Sequence, residues 1–157
     1  MKIEIYTDGS SRGNPGPGGY GIIMRAAGTD YEKTFSQGFR LTTNNRMELL
    51  AVIVALEKLK SSGHEVHIYS DSKYVVDAVE KGWLQGWVKK NFAGKKNPDL
   101  WMRYLRTAKT QRITFHWIKG HNEHPENERC DTMAVEAATA PLKTLAVDTA
   151  FETENAK

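Results

Sequence analysis

Residues Leu49–Leu56 read LLAVIVAL, an unbroken apolar run. Wound into a helix, such a run has no side suited to water, so other elements must enclose it. The flanking sequence says what those elements are. Met1–Asp8 alternates Ile3 and Ile5 with Lys2 and Glu4, the period of a half-buried strand. Turn signals in SRGNPGPGG break the chain, Tyr20–Arg25 resumes as a second strand, and Tyr31–Arg40 follows Gly28 as a third. Short connections make these three an antiparallel meander. After the apolar run, Val66–Ser70 reads as a strand and Ser72–Glu80 as a helix. Asn97-Pro98-Asp99 is a helix start, with proline in the first turn where its missing N–H costs nothing. Ile113–Lys119 is a last strand and Pro125–Ala138 a last helix. The order predicts an α/β domain, a mixed sheet with helices on its faces, spanning residues 1–138. Residues 139–157 are expected to form a flexible tail.

At 157 residues the chain can bury one substantial core. Its formal charge of +3 is too mild to demand a polyanionic partner, so the placement of charge matters more than the sum. The single cysteine, Cys130, excludes an internal disulfide and suits a reducing compartment. No apolar run is long enough to span a bilayer, and MKIEIYTDG enters a strand pattern where a signal peptide would show an apolar h-region. A soluble cytoplasmic protein without membrane contact is expected. No apolar stripe is left over once the core is assigned, so a monomer without an obligate protein partner is expected too.

Four short segments each deliver one carboxylate: TDGS with Asp8, TTNNRMEL with Glu48, YSDSKYV with Asp71 and NERCDTMA with Asp131. Magnesium takes oxygen ligands and completes its shell from water and substrate phosphate, and two such ions can serve phosphodiester hydrolysis. Each carboxylate also has a plain structural reading. Asp8 suits a DG turn, Asp71 an N-cap, and Glu48 a capping box begun by Asn45. Asp131 suits a solvated helix position. Against these, Asp8 and Asp71 both follow strands at their C-terminal ends, where ligand sites of parallel sheets form. Glu48 abuts the buried run, where a carboxylate needs partners or a metal.

His121 and His124 have H-x-x-H spacing with Cys130 nearby, but no second cysteine or paired distal motif completes a zinc site. His121, after Gly120 in a polar loop, is better suited to carrying protons. His64 and His67 read as surface residues. Between Lys81 and Pro98 lie Lys89, Lys90, Lys95 and Lys96 without one acid, interleaved with Trp83, Trp87 and Phe92. Lysines neutralise phosphates and flat rings pack on bases or sugars, so this is the expected nucleic-acid surface. The competing reading is a solvated helix whose tryptophans fill the core, which is expected to hold for at least one of them.

Taken together, IYTDGSSRGNPGPGGYG, TTNNRMEL, YSDSKYV, W-x-x-G-W with its lysines, NPDLW and WIKGHNEHPENERCD resemble bacterial type 1 ribonuclease H, in that family's order from Ile3 to Ala138. The resemblance implies a ribonuclease H-like fold: a five-stranded mixed sheet, three antiparallel strands then two parallel, flanked by helices on both faces. It implies a metal-dependent endoribonuclease that cuts the RNA strand of RNA–DNA hybrids, leaving 5′-phosphate and 3′-hydroxyl ends. Asp8, Glu48, Asp71 and Asp131 would bind two magnesium ions, with manganese as a substitute, and His121 would assist proton transfer or product release. Gly9, Ser10, Asn14, Asn44 and Lys73 would line the RNA side. Asn45 would lie in the minor groove, Thr43 would hold a DNA phosphate, and Trp83 would pack on a deoxyribose. Trp87, Lys89 and Lys90 belong to the same binding surface. A protein that needs features of both strands should reject duplex RNA and duplex DNA alike.

Two departures stand out. Gly86 occupies the place where the family often carries asparagine before the second tryptophan, so one phosphate donor is missing. The Lys89–Asn97 stretch is also shorter than in the longest relatives, which predicts somewhat weaker hybrid binding with catalysis intact. Two other functions compete. A non-catalytic hybrid-binding module would tolerate loss of a carboxylate, and none is missing. A DNA-acting nuclease of the wider superfamily leaves TTNNRMEL and the basic tryptophan stretch unexplained.

Overall fold

The computed structural model describes residues 1–119 and 124–155. Strands β1 (Lys2–Ser11), β2 (Gly16–Ala26) and β3 (Glu32–Thr42) are followed by helix α1 (Asn44–Glu57) and strand β4 (Glu65–Ser70). Helices α2 (Lys73–Glu80), α3 (Trp83–Lys89) and α4 (Pro98–Ala108) lead to strand β5 (Arg112–Trp117). Helix α5 (Pro125–Ala138), a 3₁₀ turn at Leu142–Thr144 and helix α6 (Thr149–Asn155) complete the chain. The sheet order is β3-β2-β1-β4-β5. β1, β2 and β3 pair antiparallel, whereas β4 runs parallel to β1 and β5 parallel to β4. The expected five-stranded mixed sheet is therefore present, with helices on both faces.

The apolar run forms α1, and Leu49, Ala51, Val52, Ile53 and Ala55 have no exposed surface. Ile5 of β1, Ile22 of β2 and Ile68 of β4 close one side of it and Trp101 of α4 belongs to the same core, all four equally enclosed. Trp101 meets Trp87 and Tyr104 edge-on and donates its indole N–H to the Tyr74 hydroxyl at 2.8 Å. Burying side chains of this size contributes about 1.5–3 kcal/mol each. The core thus fixes the start of α1, which carries Glu48, against the end of β1, which carries Asp8.

The opposite face is covered by α5. It approaches the sheet so closely that a Cβ at Gly21 of β2 would collide with the Cys130 carbonyl. Cys130 itself is fully enclosed and donates its thiol to the Tyr6 carbonyl at 3.3 Å. Burial, together with the neighbouring Asp8 charge, pushes that thiol up to about 12.

Residues after Ala138, expected as a tail, carry the 3₁₀ turn and α6. They are tied to the body at Asp148, whose carboxylate accepts from the Arg46 guanidinium at 2.7 and 2.8 Å and from the Thr42 hydroxyl at 2.7 Å. Arg46 also pairs with Asp99 at 2.7 Å, so α1, α4 and the C-terminal segment meet at one guanidinium. Glu152 of α6 accepts from Arg40 of β3 at 2.8–3.1 Å. No helix among the described residues is long and apolar enough to cross a membrane.

Candidate active site

Register places the first two carboxylates. Tyr6 pairs with Tyr69 in the parallel β1–β4 ladder, and Asp8 and Asp71 each lie two residues further on. Side chains two apart share a face, so both carboxylates emerge side by side at the C-terminal edge of the sheet. Glu48 arrives from the first turns of α1. It can reach the pair because Gly9 intervenes: a Cβ there would run into the Met47 carbonyl carbon and the Glu48 amide nitrogen. The Gly9 N–H donates to Glu48 Oε1 at 2.7 Å and to Asp8 Oδ1 at 3.0 Å, which orients both carboxylates. One oxygen from each of Asp8, Glu48 and Asp71 lies within 4.8 Å of the others.

Such crowding is costly without a cation. Burial pushes the Asp8 carboxyl up to about 8, helped by the Asp71 charge and by Asp131. Glu48 is raised well above the usual carboxylate range by burial and by the charges of Asp8 and Asp71. Asp71 Oδ1 is buried with no hydrogen-bond partner among the described residues. Converging oxygens with an orphaned acceptor fit a small, hard divalent cation, which neutralises the repulsion and uses the free lone pairs. Asp131 lies on α5, outside this three-residue cluster.

Several plain readings of these residues give way. Thr43, not Asn45, caps α1, accepting from the Arg46 N–H at 3.2 Å. Glu48 therefore does not reach back to a cap but bonds to strand β1. Ser72, not Asp71, caps α2, with 3.2 Å from the Val75 N–H to its hydroxyl. Sequence reasoning missed the Gly9 amide as the part that aims Glu48. The dipeptide DG carried the signal, but it reads first as a turn.

Around the cluster, the Asn14 side chain accepts from the Asn44 N–H at 3.0 Å, pinning the β1–β2 loop to the start of α1. Ser10 continues β1 beyond Gly9. Lys73 opens α2 with its ammonium 4.7 Å from the Trp117 ring centroid. Trp83 is 48% exposed. A cavity of about 550 Å³ is lined by Trp83, Gly86, Trp87, Lys90, Ala93 and Lys95. Lys89 ends α3 just beside it. A Cβ at Gly86 would meet nothing, so the missing asparagine leaves open space. Two rings of the basic stretch turn inward: Phe92 is buried, and Trp87 is half-buried against Trp101. Phe92 is thus a core residue rather than a contact for nucleic acid. His67 is half-buried and paired with His116 at 2.8 Å. His121 lies outside the described residues.

The family model for ribonuclease H matches residues 1–139. The chain belongs to the ribonuclease H family. It is 52% identical over 145 residues to a ribonuclease H of Desulforamulus reducens, covering 89% of each chain. It is 52% identical over 144 residues to ribonuclease HI of Helicobacter pylori, covering 92% of this chain and 98% of that one. Among solved structures, it is similar to LC9-RNase H1, described as a type 1 RNase H with the type 2 active-site motif, at a TM-score of 0.78 and 28% identity. That match covers 99% of this chain and 81% of the other. It also resembles LC11-RNase H1 in complex with an RNA/DNA hybrid, at a TM-score of 0.54 and 28% identity, covering 87% and 96%. These matches identify a bacterial type 1 ribonuclease H, an endoribonuclease of a metal-dependent family.

Proposed function

We propose that this ribonuclease H hydrolyses the RNA strand of RNA–DNA hybrids with two magnesium ions held by Asp8, Glu48, Asp71 and Asp131, as a cytoplasmic monomer. The observation that carries this reading is the convergence of three carboxylate oxygens within 4.8 Å from three separate elements. Bound there, the ions would supply an activated water and stabilise the leaving 3′ oxygen, leaving 5′-phosphate and 3′-hydroxyl ends; manganese is the expected substitute. The chain's own part is positional. The Gly9 amide holds Asp8 and Glu48 in one orientation, and the parallel register sets Asp71 beside them. Asp131 adds its carboxylate from α5, and His121 assists proton transfer or product release.

Recognition falls to surfaces flanking the cluster. Gly9, Ser10, Asn14, Asn44 and Lys73 lie on the carboxylate side and take the RNA strand, whose 2′-hydroxyls distinguish it from DNA. Asn45 lies in the minor groove, Thr43 holds a DNA phosphate and Trp83 packs on a deoxyribose, with Trp87, Lys89 and Lys90 on the same binding surface. The residues 1–138 form the catalytic unit.

The test is end-labelled RNA annealed to DNA, with magnesium, with EDTA, and with Asp8→Asn. Duplex RNA, duplex DNA and single-stranded RNA run in parallel. Cleavage of the hybrid's RNA alone, lost with EDTA or Asp8→Asn while hybrid binding persists, is expected. Turnover retained by Asp8→Asn would remove Asp8 from the metal set, and cut DNA would overturn the substrate assignment.

A further inference from the structure

Helix α6 does more than close the chain. Asp148 and Glu152 fix it to α1 and β3, and the Phe151 ring lies 5.7 Å from the Arg46 guanidinium carbon. So held, α6 borders a depression of about 370 Å³ with three walls. Asn14 of the β1–β2 loop forms the first with Thr43 and Asn45 at the start of α1, and Lys95 and Lys96 of the basic loop form the second. Glu154 and Asn155 of α6 form the third. The first two walls are continuous with the surface assigned above to the nucleic acid, and both offer what a phosphate wants: a hydroxyl, amides and ammonium groups. The third offers an amide and a carboxylate. Glu152 uses its charge on Arg40, whereas Glu154 lines the depression itself.

We propose that α6 is a third wall of the hybrid-binding groove, and that Glu154 sets the groove's affinity by opposing the backbone phosphates that Thr43, Lys95 and Lys96 draw in. This rests on the hybrid-cleaving reading of the carboxylate site. A carboxylate within one screening length of a phosphate weakens binding at low salt and loses its effect as salt rises. Glu154 stands outside the carboxylate cluster, so it acts on binding of substrate rather than on the reacting phosphate. It is an affinity-setting residue, one that makes the enzyme release hybrids faster than its lysines alone would allow.

The test compares Glu154→Gln and Glu154→Lys with the wild type in steady-state cleavage of RNA–DNA hybrids across a salt series. Glu136→Gln, an exposed acid on α5, controls for net charge. At low salt KM should fall about threefold for Glu154→Gln and about tenfold for Glu154→Lys, with kcat within about twofold of wild type. The salt slope should steepen by about one unit for Glu154→Lys. Hybrids shortened from the end that overlies α6 should abolish the difference, which a merely structural role would leave in place. Unchanged KM and salt slope, or an equal shift with Glu136→Gln, would overturn the proposal while leaving hybrid cleavage standing. A wild type that cuts no hybrid would instead bring down the underlying reading, and α6 with it.

Discussion

Truncating Arg46 tests whether one buried guanidinium ties the C-terminal segment to α1 and α4. It is 3% exposed and donates to Asp148 at 2.7 and 2.8 Å, to Asp99 at 3.0 and 2.7 Å, and to Asn97 at 3.2 Å. In Arg46→Ala the Asp148 carboxylate stays buried with only the Thr42 hydroxyl beside it. Stripping a buried charge of its partner costs about 3–5 kcal/mol. Asp148→Ala is milder, because Arg46 keeps Asp99; losing two charge-assisted bonds costs about 2–3 kcal/mol. Asp99 is the least enclosed partner, with its side chain 38% exposed, so Asp99→Ala should cost about 1 kcal/mol. With an unfolding entropy of roughly 2.1 cal/mol/K per residue, a chain of this length loses about 3 °C of Tm per kcal/mol. Calorimetry should then show falls of about 9–15, 6–9 and 3 °C in that order. The double change Arg46→Met with Asp148→Leu should recover part of the loss, since a buried pair can be replaced by apolar groups. Equal costs for Arg46→Ala and Asp148→Ala would refute the argument, because the Asp99 pairing would then be idle. So would all three variants melting with the wild type.

Three further outcomes follow from the geometry. In EDTA, Asp8→Asn should melt higher than wild type by about 2–3 kcal/mol in urea titrations, because it relieves the repulsion that burial amplifies; magnesium should raise wild type but not the variant. Gly9→Ala should drive the Glu48 end of α1 off β1, lowering turnover at least about 100-fold with a folded circular dichroism spectrum, since small misplacements are costly in catalysis. Burial and the His67 charge hold His116 below its ordinary pKa, so the folded protein binds fewer protons than the unfolded chain and loses stability as pH falls through the unfolded value of about 6.5. His116→Gln should flatten that acid limb between about pH 7 and 5, and an unchanged limb would clear the His67–His116 pair of any part in it.

Strand and helix periods were legible wherever one face alone decides burial. α5 runs Pro125–Ala138 as the pattern predicts, and α2 begins one residue inside the predicted span. Asp8 and Asp71 were legible as acids near the C-terminal ends of β1 and β4, and Glu48 as an acid abutting the buried run. What joins them was not. The Gly9–Glu48 bond spans 39 residues and the Arg46–Asp148 pair 102, and no local period encodes such distances. Thr43 displaces Asn45 as the cap because β3 delivers the chain to α1 two residues earlier than the capping pattern implies. α6 was invisible for a related reason: its sequence is polar and short, and two anchors, Asp148 and Glu152, rather than an apolar stripe hold it in place.

Cys130 offers a clock that the molecule already carries. Its thiol is enclosed between α5 and the sheet and held almost wholly in the unreactive protonated form, so it meets a labelling reagent only when that helix lifts away. The same helix carries Asp131, one residue on. The rate at which a thiol reagent captures the native enzyme therefore counts the moments when α5, and Asp131 with it, stands away from the sheet. No introduced probe is needed to do so.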